Sequence, residues 1–122
     1  IRSDGSEIRE FIYVDDAVGA LSRLAENADR QKGEAFNFGG GERISILELV
    51  KTLIRLAGKQ RSLQPVVLNA TPQSSGVQEQ YSSGDRAREA LSWQPQISLN
   101  EGLSRTLRWY QAEAKRSVEN QL

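Results

Sequence analysis

The sequence predicts one mixed α/β domain in which about four helices alternate with short strands. Three observations carry this. Apolar residues recur at helical spacing in several segments. Two of those segments open with the same Ser-x-x-Glu pattern. Between them lie short runs of aliphatic and aromatic residues, bounded by glycine and polar turn residues. At 122 residues the chain is long enough for a single core, and no internal repeat or low-complexity tract divides it.

Ser3, Asp4, Gly5 and Ser6 are turn chemistry. Ile8, Phe11, Ile12 and Val14 favour a strand, and Asp15 or Asp16 is placed to cap the helix after it. Ala17, Val18, Ala20, Leu21, Leu24 and Ala25 follow at helical spacing, so this helix is expected to bury one face and to end in the polar run 27–33. Residues 34–38 read as a short strand closed by Gly39, Gly40 and Gly41. Ser45 and Glu48 form a capping box before a second helix, and Gly58 is a natural C-cap. Residues 65–68 are a candidate strand, and residues 71–76 a mobile connection. Ser83 is placed to cap a third helix that holds Ala87 and Leu91, which Trp93 and Pro95 break. Ser98 and Glu101 repeat the capping-box spacing before a fourth helix with Leu99, Leu103, Leu107 and Tyr110. The polar tail 116–122 is expected to fray.

Composition excludes several functions. Lys plus Arg is 16 and Asp plus Glu is 16, so the net charge is zero, which argues against nucleic acid or an anionic membrane as partner. There is no Cys and no His, so thiol nucleophiles, disulfides, histidine bases and the usual zinc ligands are ruled out. With neither a signal-peptide pattern nor a membrane-length apolar run, a soluble cytoplasmic protein is the expectation.

Chemistry-bearing residues are few. The one glycine cluster, 39–41, lacks the G-x-G-x-x-G spacing of a dinucleotide loop, and a plain turn is the better reading. Tyr13, Tyr81 and Tyr110 are followed four residues later by Ala17, Asp85 and Ala114, so no Tyr-x-x-x-Lys pair exists and no catalytic residue is assigned. Arg9 could aim its planar fork at a pyrophosphate, or form a surface ion pair with Glu7 or Glu10. Asn37 could meet a ligand or satisfy nearby backbone. Trp93 and Trp109, read as lying at helix ends, suit core packing better than stacking on a ligand. No metal site is expected.

Four motifs in order carry a resemblance: REFIYVDDA at 9–17 behind Asp4 and Gly5, GEAFNFG at 33–39, SILELV at 45–50, and RAREALSWQP at 86–95 with Leu99, Glu101, Trp109 and Tyr110 beyond it. Together they resemble the C-terminal part of the NAD-dependent nucleotide-sugar epimerases and dehydratases, in the extended short-chain dehydrogenase family. The resemblance spans most of the chain. It implies a substrate-binding portion without its Rossmann half, which in the parent enzyme binds NAD(P) and carries the catalytic Tyr and Lys. No cofactor is then expected on this chain alone, and the ligand is a nucleotide-diphosphate sugar. Arg9 matches the residue that contacts the pyrophosphate, and Asn37 and Tyr81 are taken as further substrate contacts.

A second phosphate contact usually comes from an arginine before the third helix, yet residues 71–81 hold none. Residues 79–83 are more similar to the branch with CDP-glucose and GDP-mannose 4,6-dehydratase relatives, although Ser83 stands where many members have Asp. The parent would be an isomerase or a lyase. Apolar surface left without the Rossmann half is expected to drive homodimer formation. A stand-alone binding module acting through a partner chain is the alternative, and a proteolytic fragment inactive alone a third reading.

Overall fold

A computed structural model describes residues 1–68 and 77–119, with side chains to Ser117. Its centre is the strand β1 (Ile8–Phe11), flanked by β2 (Glu42–Ser45) on one side and β3 (Glu79–Gln80) on the other. The β2 strand runs antiparallel to β1, with Ile8 opposite Ser45, Arg9 opposite Ile44 and Glu10 opposite Arg43. The β3 strand runs parallel, with Arg9 opposite Gln80. Among the described residues four helices complete the mixed α/β fold: α1 (Val14–Glu26), α2 (Ile46–Leu56), α3 (Asp85–Leu91) and α4 (Leu99–Glu119).

The helix signals in the sequence are met by specific atoms. The Ser45 hydroxyl accepts the Glu48 amide hydrogen at 3.2 Å, and the Ser98 hydroxyl accepts that of Glu101 at 3.3 Å. Gly58 follows α2 with φ +65°, the left-handed geometry that stops a helix. Ser83, expected to cap α3, is not its cap: Gly84 holds that position with no side-chain cap bond, and Ser83 accepts from the Asp85 amide at 3.2 Å from one residue further out. Past Leu91 the chain turns at Ser92, φ +52°. α4 runs through Glu119, so helix continues into the tail expected to fray from 116.

Several expectations are corrected. The strand expected around Ile8 to Val14 ends at Phe11, and α1 begins at Val14 with Tyr13 as its cap and no side-chain cap bond. Neither Asp15 nor Asp16 caps that helix. Asp16 is only 7% exposed and turns its carboxylate onto a distant loop, accepting the backbone amides of Gln96 and Ile97 at 3.0 Å each, while the Trp93 indole donates to the Asp16 carbonyl at 3.1 Å. Residues 34–38 form no ladder. Phe36 and Phe38 instead pack on the core, and Arg86 ties down the Glu34 carboxylate and the Ala35 carbonyl. Residues 65–68 are likewise not a strand; among the described residues Val66 and Leu68 bond to the backbone of Ile1. Residues 71–76, read as a connection, lie outside the described residues. Two strands went unforeseen, β2 and the two-residue β3, because each is too short to show a period.

The core is small: Ala20, Ala87, Leu91 and Trp93 are buried, with Ile12, Leu24, Phe36 and Phe38 packed around them. Phe38 meets the Trp93 ring edge-on, centroids 5.0 Å apart. The expected burial of one α1 face is only partly met, since Val14, Val18 and Leu21 are more than half exposed. Trp109 is also a correction: it sits inside α4 rather than at its end, and is 59% exposed against the edge of Tyr110.

Candidate functional site

Strand alternation divides the sheet into two faces. Glu10, Arg43 and Tyr81 lie on one, and Arg9, Ile44 and Gln80 on the other.

On the Arg9 face, the guanidinium is held by backbone. Its Nη1 donates to the Ile8 carbonyl at 2.8 Å and to that of Gln78 at 3.4 Å, and its Nη2 to that of Val77 at 3.0 Å. Neither carboxylate named as a possible partner is engaged: Glu7 accepts from the Ser3 hydroxyl at 2.7 Å, and Glu10 is turned to the opposite face. Among the described residues no carboxylate pairs with Arg9. A guanidinium carries five N–H donors. These three bonds fix the plane of the fork and leave its Nε–H and one Nη2 hydrogen uncommitted to described residues.

The opposite face carries a cleft of about 310 Å³, lined by Gly39, Gly40, Tyr81, Ser82, Arg88 and Pro95 among others. One wall is the glycine turn 39–41 and the other is the segment after β3. The walls touch backbone to backbone, since a Cβ on Gly39 would collide with the Ser82 carbonyl and one on Gly84 with that of Gly39. The Glu10 carboxylate joins both walls, accepting from the Gly40 amide at 2.7 Å and from the Ser82 amide at 3.0 Å. Arg43 stacks over the Tyr81 ring, 3.5 Å from its centroid. The glycine turn leads into β2 rather than a helix, so it does not fit a dinucleotide loop.

The three residues taken as substrate contacts are therefore not gathered at one point. Arg9 and Tyr81 stand on opposite faces, and Asn37 is exposed between Phe36 and Phe38. Reading the sequence missed Glu10 and Arg43, whose roles depend on partners 30 or more residues away in the chain. Their signal, opposite charges facing across β1 and β2, appears only once the register is known.

The sequence profile of the NAD dependent epimerase/dehydratase family matches residues 1–39. The chain is 33% identical to UDP-glucuronate 4-epimerase of Thermodesulfobacterium geofontis, over 89% of its own length and 32% of the relative's. The fold is similar to the UDP-glucose 4-epimerase of Thermotoga maritima solved with UDP-glucose, with TM-score 0.77 and 29% identity over 93% of this chain and 35% of that one. It is also similar to the Y149F mutant of UDP-glucuronic acid 4-epimerase from Bacillus cereus, in complex with a fluorinated UDP-sugar and NAD, with TM-score 0.72 and 30% identity over 85% and 32% of the two chains.

The chain matches a fragment of the NAD-dependent epimerase/dehydratase family. It spans about a third of the length of the family members it matches. The sequence it contributes contains neither the glycine-rich dinucleotide loop nor a Tyr-x-x-x-Lys pair. Among its described residues no helix is long and apolar enough to cross a membrane.

Proposed function

We propose that this chain is the nucleotide-sugar-binding portion of an NAD-dependent sugar epimerase or 4,6-dehydratase, not catalytic by itself, and that Arg9 takes the substrate pyrophosphate. The observation that carries this reading is the state of Arg9. Its guanidinium is oriented by the Ile8, Val77 and Gln78 carbonyls, pairs with no described carboxylate, and keeps donors to spare. A fork already fixed in plane loses little entropy on meeting a diphosphate. The relatives support the ligand class, since two of them were solved with UDP-sugars.

In this reading hydride transfer belongs to a Rossmann portion that binds NAD(P) and supplies the acids and bases, and this chain contributes geometry. Asn37 and Tyr81 are further contacts, Tyr81 reaching a different part of the ligand from Arg9. The assembly is a cytoplasmic homodimer, its contact formed by the exposed apolar residues of α1.

Calorimetric titration with UDP-glucose and UDP-glucuronate tests the reading. Arg9→Ala should weaken binding about tenfold or more, the worth of a charge-assisted contact. Equal affinity in the two proteins would remove Arg9 from the site.

A further inference from the structure

We infer that Glu10 is a positioning residue for Arg9, acting through the sheet from the opposite face. The inference rests on the reading of Arg9 as the anion contact. Neighbouring residues on a strand point to opposite sides. Glu10 uses this to hold what Arg9 leans on. Its carboxylate accepts the amides of Gly40 at 2.7 Å and Ser82 at 3.0 Å, which brings together segments 30 and 72 residues away in sequence. Ser82 lies just past β3, and Val77 and Gln78 lie just before it. On that near side of β3, the Val77 and Gln78 carbonyls orient the Arg9 guanidinium, and the Gln78 carbonyl also accepts the Ile8 amide at 2.8 Å.

The described part of β3 pairs with β1 at only two positions, Ile8 with Glu79 and Arg9 with Gln80. A ladder this short is marginal alone, so a charge-assisted clasp at its end decides whether it stays docked. Gly39 and Gly84 make the clasp possible, because any side chain at either would push the two walls apart. Glu10 therefore does not touch the ligand. It keeps the two carbonyls where Arg9 needs them.

Side-chain NMR on the whole chain labelled at arginine tests this, with amide hydrogen exchange in parallel and UDP as the ligand probe. In Glu10→Ala, exchange at the Gly40 and Ser82 amides should rise about tenfold, with a matching rise at Ile8. The Arg9 guanidinium signal should move to its solvent-averaged position in the folded protein, and UDP affinity should fall about tenfold with it. Glu10→Gln keeps one acceptor and should fall between, which guards against a Glu10→Ala protein that does not fold.

If Gly40 and Ser82 lose protection while the Ile8 amide and the Arg9 signal stay unchanged, Glu10 only pins the glycine turn and the inference is overturned. If the Arg9 signal responds but neither protein binds UDP, the positioning link holds and the nucleotide reading of Arg9 fails.

Discussion

Asp16 shows how one residue can be read correctly for its type and wrongly for its partner. An aspartate at a strand-to-helix junction predicts a cap. Here the first turn of α1 carries it inward, where it closes the 96–97 loop and lies beside the Trp93 indole bond. With both carboxylate oxygens accepting amides in half-buried bonds, Asp16→Ala leaves those amides unpaired. Unfolding in urea should show a loss of about 3 kcal/mol. A loss under about 0.5 kcal/mol, the size of an ordinary surface change, would mean water replaces the carboxylate. Arg9 teaches the same lesson in reverse, since the surface ion pair open to it by spacing is replaced by backbone carbonyls that no local pattern reveals.

At the scale of elements, the Ser-x-x-Glu caps of α2 and α4 and the strand β1 were legible, while β2, β3 and the starts of α1 and α3 were not. Ser45 and Ser98 cap the helices their spacing predicts, and Ala87 and Leu91 bury the face expected of α3. Those signals act within four residues, so sequence holds them whole. A strand needs a neighbour, and residues 34–38 and 65–68 have strand composition but find no ladder among the described residues.

The start of α3 also makes a pH prediction. The Ser83 hydroxyl, first, and then Arg88 hold the Asp85 carboxyl below its ordinary value of 3.8. A carboxyl lowered in the folded state stabilises it above the ordinary value, and that contribution is lost as pH falls through the lowered one. Ser83→Ala should therefore move the Asp85 midpoint back up in an NMR titration. An unmoved midpoint would assign the effect to Arg88 alone.

At the scale of the whole molecule, the described residues give a core of four buried apolar residues and a stripe of Val14, Val18 and Leu21 along α1 that nothing described covers. Such a stripe favours self-association. Light scattering across a concentration series should show dimers for the native chain, and Val18→Asp should shift the series toward monomer. A native chain that stays monomeric at the highest concentration would remove the homodimer from the proposed function.

By itself, the sequence determined the resemblance to the family, the mixed fold class, the caps of α2 and α4 and the place of Arg9 near the start of a strand. Each of these is fixed by residues close in the chain or by motifs in a set order. Only the tertiary structure decided which face each strand residue takes, that Asp16 and Glu10 reach across to distant backbone, and that Arg9 and Tyr81 stand on opposite sides of one sheet. The physical reason is that strand register and loop closure depend on partners 30 to 81 residues away, and a carboxylate's choice among backbone amides is settled only when those partners meet.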